Sequence, residues 1–145
     1  MLLEDIQDPG NLGSMLRSAA AAGCDSVFLS QGCADAWSPK VLRAGMGGHF
    51  QLAIHENVVL PEVAGRFPGA VYATAPEAEV GLYDCKLHGN LAFAVGNEGA
   101  GLSAALMAVA QPLRIPMPGR LESLNAAAAT AICLFEAVRQ QQQSG

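Results

Sequence analysis

The chain has 145 residues, 51% of them hydrophobic and 14% charged, with thirteen acids against eight bases for a net charge of −5. That is one domain's worth of sequence, long enough to bury a real core, and the acidic balance excludes a stand-alone polyanion binder whose bases are not gathered locally or in another domain. No apolar run approaches the length of a membrane span, and no signal-peptide pattern opens the chain. So few charges favour a fold with faces hidden in a partner subunit. Cys24, Cys33, Cys85 and Cys133 lie far apart without a C-x-x-C pair, so they read as reduced, mostly buried thiols of a cytoplasmic protein and not as a metal site.

Met1–Ile6 reads as a short first strand, and its abrupt start raises the expectation of an upstream domain. Asp8-Pro9-Gly10-Asn11 is turn chemistry. Asn11 is then a good N-cap for a helix over Leu12–Ala22, which Gly23 closes. Leu12, Met15, Leu16, Ala19 and Ala20 share one face of that helix, with Asn11, Ser14, Arg17 and Ser18 on the other. Arg17 has no acidic neighbour one turn away. It is either simply solvated or, beside small hydroxyls and amides, suited to an anion such as phosphate. Ser26–Leu29 completes a β-α-β unit.

Ser38-Pro39 starts a helix to about Ala44, which dissolves in Gly45-Met46-Gly47-Gly48. Lys40 and Arg43 form a small basic patch on it, either a solvated face or an RNA contact. Gln51–Ile54 reads as a short strand, Pro61–Phe67 as a short helix and Ala70–Ala75 as a strand; Glu77–Gly89 looks irregular. His49, His55 and His88 have neither metal-ligand spacing nor a nucleophile beside them, so they are structural or surface residues. Asn90–Val95 is continuously apolar, the mark of a central parallel strand buried on both faces. It runs into Gly96-Asn97-Glu98-Gly99-Ala100-Gly101 and a helix capped by Ser103. This is neither a dinucleotide fingerprint nor a P-loop, yet its glycines let a ligand approach the backbone.

A strand over Leu113–Ile115 then feeds Ile115-Pro-Met-Pro-Gly-Arg-Leu-Glu-Ser-Leu-Asn125. Two prolines and a glycine make this a stiff loop. Ser123 and Asn125 end it, small polar groups suited to capping the next helix or to binding a ligand at its positive end. That helix spans Asn125–Arg139, and Gln140–Gly145 is expected to fray. No internal repeat and no second domain are visible.

Three segments stand together: Asn11-x-Gly13-x-x-x-Arg17, Gly96-x-Glu98-x-x-Gly101-Leu102, and Ile115-Pro116-Met117-x-Gly119-x-x-x-Ser123-Leu124-Asn125. In this order they resemble motifs one to three of the SpoU (TrmH) family of RNA ribose 2′-O-methyltransferases, within the SPOUT superfamily. The ending Ile132–Gln140 resembles RlmB-like members. The likeness covers residues 1–145 as one catalytic domain, with the family's N-terminal RNA-binding domain apparently absent. It implies a parallel-sheet α/β fold with a C-terminal trefoil knot, working as a homodimer with active sites at the interface.

It further implies S-adenosyl-L-methionine as cofactor, held by Thr74, Ala75, Gly96, Asn97, Gly99, Ile115, Met117, Ser123 and Leu124. Arg17 would act at the target ribose with Asn11, Glu98, Ser123 and Asn125 around it. Arg17, Lys40, Arg43 and Arg120 are the candidate contacts to an rRNA or, second, a tRNA. No metal is implied. The family casts its motif-one arginine as the base, but a guanidinium is effectively always protonated. Arg17 is therefore expected to hold phosphate, with Glu98 or water taking the proton. Ala126-Ala127 departs from the Val-Ser of many relatives. The competing reading is an S-adenosylmethionine-binding dimerisation module inactive on RNA alone; a Rossmann-type oxidoreductase is a weaker third.

Overall fold

Strands that are apolar at every position can be buried only where both faces of their sheet are covered. The computed structural model describes residues 1–144 and has that arrangement. Its strands are β1 (Leu2–Leu3), β2 (Ser26–Leu29), β3 (Ala53–His55), β4 (Ala70–Thr74), β5 (Leu91–Val95) and β6 (Gln111–Leu113). Its helices are α1 (Pro9–Ala21), α2 (Pro39–Gly45), α3 (Leu60–Arg66), α4 (Ala104–Met107) and α5 (Ala126–Ser144). The sheet order is β3-β2-β1-β5-β4-β6, and every pairing is parallel.

Side chains on β5 divide between the two faces. Phe93 and Val95 join Leu12, Met15 and Leu16 of α1 and Cys133 and Leu134 of α5. Ala92 and Ala94 pack the other way, with Leu60 and Ala64 of α3 and Leu106 of α4. Leu3 and Leu2 of β1 divide in the same manner. Leu3 pairs with both Leu29 and Val95, and Thr74 pairs with Leu113. The chain therefore leaves β1, β4, β5 and β6 along one edge, the carboxyl edge where ligands meet open parallel sheets.

Several boundaries differ from the sequence reading, each for a local reason. The N-cap of α1 is Asp8, not Asn11: Asp8 Oδ1 accepts from the Asn11 amide at 3.1 Å, with Pro9 in the first turn. Proline is pre-organised for that position, so the helix begins earlier and the Asn11 side chain is released. Ser38 occupies the N-cap position of α2, but its hydroxyl makes no capping bond. A 3-10 turn at Gly48–Gln51 delays β3 to Ala53–His55. The Gly96–Gly101 loop leads into a helix of one turn only, which Ser103 does cap.

The last strand lies at Gln111–Leu113, not Leu113–Ile115. The Leu113 carbonyl accepts from Ala75, just past the end of β4, so the nitrogen of neighbouring Pro112 faces the open side and costs no ladder bond. Arg114 then turns its backbone outward, donating to the Val80 carbonyl at 2.9 Å and accepting from Leu82 at 2.8 Å. Its guanidinium donates to the Ala78 and Glu79 carbonyls.

Helices α1 and α2 meet through missing side chains. A Cβ on Gly13 would come within 2.4 Å of Ala44 Cβ and 2.7 Å of the Val41 carbonyl oxygen. Gly13→Ala is expected to destabilise the protein by about 1–3 kcal/mol through overpacking. Urea unfolding checks this, and an unchanged midpoint would refute it.

Far from fraying, α5 continues to Ser144; Gly145 lies outside the described residues. Its last turns are fastened. Gln140 Oε1 accepts from the Leu87 amide at 2.8 Å, and Gln140 Nε2 donates to the Cys85 carbonyl and to Glu136 Oε1, both at 3.0 Å. Buried Glu136 also takes two bonds from Arg139, at 2.7 and 2.8 Å. Hydrogen bonds from Arg139 and then Gln140 hold its carboxyl down from 4.5 to about 2, against the opposing effect of burial. The unfolded chain thus binds this proton more readily, so Glu136 stabilises the fold above its ordinary range and loses that effect as pH falls toward 2. Thermal midpoints measured between neutral and acid pH are expected to fall less steeply in Glu136→Gln than in the parent.

Candidate active site

Three loops leave the carboxyl edge and touch one another. The loop after β5 is folded by Asn97, whose Oδ1 accepts from the Gly99 and Ala100 amides at 2.8 and 3.0 Å. Asn97 Nδ2 reaches the Asp5 carbonyl at 2.9 Å, tying this loop to the turn after β1. Glu4 does the same further along, taking bonds from the amide and hydroxyl of Ser103. Gly96 is required by closeness: a Cβ there would lie 2.5 Å from the Gly101 carbonyl carbon. Gly101 itself has φ +70, a left-handed conformation that suits glycine.

The loop after β6 joins through Asn125, which caps α5 with its side chain: Oδ1 accepts from the Ala128 amide at 3.1 Å. That bond fixes which end of the amide points outward. Its Nδ2 donates to Asn11 Oδ1 at 3.0 Å and to Glu98 Oε1 at 3.3 Å. Asn11 Nδ2 donates to the same carboxylate oxygen. Two amides thus orient Glu98, while its second oxygen has no protein donor among the described residues and faces solvent.

Beside this cluster lies a cavity of about 130 Å³. Thr74, Ala75, Gly96, Asn97, Ile115, Met117, Ser123 and Leu124, all expected at a cofactor, line it, as does Glu98. Gly101, of the same glycine loop, lines it too, and Pro76, Val95, Ala126 and Ala129 also line it and were not anticipated. The small residues Ala126 and Ala129, one turn apart on α5, were the available signal. Gly99 faces instead a neighbouring cavity of about 290 Å³, shared with Asp8, Asn11, Asn97 and Glu98. The walls of the first are apolar side chains and proline or glycine backbone, and neither lysine nor arginine lines it. This suits an adenine ring and a thioether better than a pyrophosphate.

Arg17 does not join the group within one chain. It is exposed on α1, lines neither cavity and makes no hydrogen bond among the described residues. Lys40 and Arg43 are exposed on α2, and Arg120 is exposed in the loop before α5. His49 is buried and bonded to the Ala36 carbonyl, His55 stacks on Phe28, and exposed His88 lies near Ser144, so none enters the site. Burial pushes all four thiols up, Cys133 to about 12, which leaves no thiolate nucleophile near neutral pH. Among the described residues no three His, Cys, Asp or Glu side chains converge as metal ligands, and no helix is long and apolar enough to cross a membrane.

The profile of the SpoU rRNA Methylase family matches residues 1–135. The chain belongs to that family. The SpoU domain is 40% identical over 139 residues to the 23S rRNA (guanosine(2553)-2′-O)-methyltransferase RlmP of Bacillus subtilis, covering 93% of this chain and 56% of that protein. With mitochondrial rRNA methyltransferase 3 of Mus musculus it shares 34% over 192 residues, covering 97% of this chain and 46% of the relative. Its fold superimposes on the SpoU methyltransferase AviRb from Streptomyces viridochromogenes, solved in complex with AdoMet, with TM-score 0.86 and 33% identity. That match covers 99% of this chain and 60% of AviRb. The SpoU domain spans about half the length of the curated relatives it matches.

Because Asn125 both caps α5 and orients Glu98, Asn125→Ala is expected to lower stability by about 0.5–2 kcal/mol. Asn125→Asp keeps the capping acceptor but removes the amide donor and is expected to be milder. Denaturant midpoints of the two variants decide it; equal losses would mean the cap is not the stabilising contact.

Proposed function

We propose that this SpoU domain methylates a ribose 2′-hydroxyl in RNA, rRNA ahead of tRNA, using S-adenosyl-L-methionine. The observation carrying this reading is the Asn11–Glu98–Asn125 network standing at the rim of an apolar, glycine-walled cavity. Thr74, Ala75, Gly96, Ile115, Met117 and Leu124 would hold the cofactor, which when bound supplies an electrophilic sulfonium methyl. The chain's own task is then positioning and proton handling, since a ribose hydroxyl is a weak nucleophile that must lose its proton. The free Oε2 of Glu98 takes that proton, directly or through water. Asn11 and Asn125 keep the carboxylate aimed, and Ser123 offers a hydroxyl to ribose or cofactor.

Arg17 serves as phosphate clamp and charge stabiliser, because its guanidinium keeps its protons at any working pH. Its distance from the cavity within one copy supports a homodimer in which Arg17 of one subunit completes the site of the other. Half-exposed Phe135 on α5 and the sparse surface charge fit such a pairing. The bonds from Arg114 to Val80 and Leu82, on the side of β6 away from β4, support the trefoil-knotted path that the family resemblance implies.

The rival reading, a cofactor-binding module silent on RNA by itself, draws on the half-length match to its relatives. Calorimetry with S-adenosylhomocysteine followed by tritium transfer to bulk RNA separates the two. Binding together with transfer is expected; binding alone supports the module, and neither would sink both. Glu98→Gln is expected to slow transfer by about 10²–10⁴-fold. Arg17→Lys is expected to cost about 10²–10³-fold, with homocysteine-analogue affinity intact in both variants. Near-full activity in Arg17→Lys would remove the bidentate clamp.

A further inference from the structure

Trp37 and Phe50 leave large rings in water, 46% and 76% exposed. Neither is loose. Buried His49 donates from Nε2 to the carbonyl of buried Ala36 at 2.6 Å, fixing the residue before Trp37. The Trp37 amide donates to Asp35 Oδ1 at 2.9 Å. The indole packs 5.0 Å from the His49 ring and 6.3 Å from Phe50, tilted against both. The chain around Trp37 is thus held in place, with the exposed Phe50 ring packed beside it, so a stacking partner meets a largely pre-arranged pair.

Apart from Asp35, which flanks Trp37, the stretches that carry them are basic. Residues 9–21 and 36–55 contain no Asp or Glu, on a chain with thirteen acids. The same stretches supply Arg17, Lys40 and Arg43, all exposed. The turn that carries Phe50 lies against α1 at Arg17: a Cβ on Gly48 would sit 3.2 Å from Arg17 Cα. Exposed rings interleaved with cations, beside the arginine assigned to the target phosphate, match the surface used for unpaired nucleic acid.

We propose that Trp37 and Phe50 form a stacking platform for unpaired RNA bases flanking the methylated nucleotide, with Lys40 and Arg43 holding the intervening phosphates. The proposal rests on the RNA reading above and adds how the strand is gripped: by base faces, in single-stranded segments. A second copy of the chain is the poorer occupant. A two-fold contact through the Trp37–Phe50 patch would set Lys40 and Arg43 against their own images, with Asp35 offsetting only one of them, whereas Arg17 reaches the partner from α1.

Trp37 is the sole tryptophan, so the platform reports on itself. Oligouridylate and oligoadenylate single strands are expected to quench its fluorescence, and an RNA duplex is not. Phe50→Leu and Trp37→Leu, followed by anisotropy of labelled oligonucleotide, are expected to weaken binding about tenfold each, with S-adenosylhomocysteine affinity unchanged. Lys40→Gln with Arg43→Gln is expected to flatten the slope of log K against log salt by roughly 1.4, two phosphates at about 0.7 each.

Absent quenching, or variants that bind single strands like the parent, overturns the platform. So does Phe50→Leu turning a dimer into monomers in sedimentation while RNA affinity holds, which makes the face a contact between copies. Failure of the methylation reading looks different. There S-adenosylhomocysteine does not bind and no methyl is transferred, whatever the oligonucleotides do.

Discussion

One carboxylate oxygen gathers the three motif regions. Asn11, Glu98 and Asn125 are separated by 87 and 27 residues along the chain, yet two amides converge on Glu98 Oε1. The network has a direction. The Ala128 amide sets the Asn125 side chain, Asn125 sets Asn11, and both point their donors at Glu98. Asn125 also caps α5, so one side chain both begins a helix and orients the site. The network lies at the surface, and its one free acceptor is the second carboxylate oxygen of exposed Glu98.

The sheet makes that convergence geometrically cheap. Parallel pairing brings the ends of β1, β4, β5 and β6 to a single edge, and packing on both faces keeps them there. The loops can then be short and held by few bonds: Asn97 to the turn after β1, Glu4 to the start of α4. Gly96 passes Gly101 where it has no room for a side chain, and Gly101 takes a left-handed turn. Rigidity comes from the strands, and the loops inherit it.

Much of this was legible in the residues. Unbroken apolar Leu91–Val95 announced a doubly covered central strand, and Gly23, at φ +80, closed α1 where expected. The Gly-x-Glu and Pro-rich loops were singled out, and both line the apolar cavity. What escaped was whatever depends on partners distant in sequence. Asn11 looked like a cap, since nothing local said that Asp8 would take that role and free it for Glu98. Pro112 looked like the approach to a strand because its tolerance depends on β6 being at the edge. The tail looked frayed because Gln140 finds its partners at Cys85 and Leu87, some fifty residues back. Arg17 was grouped with residues that its own chain holds elsewhere, because spacing along the chain does not say where an exposed side chain of α1 lies relative to the loops.

The outward nitrogen of Pro112 has a meaning for life at high concentration. An outermost strand with free donors is a template on which other chains polymerise, a hazard for a molecule half composed of apolar residues. Here one donor is missing, and Val80–Leu82 lies over the backbone just beyond it. Self-assembly through this margin is blocked in the polypeptide itself, so association is steered toward side-chain contacts and away from runaway hydrogen-bonded ribbons.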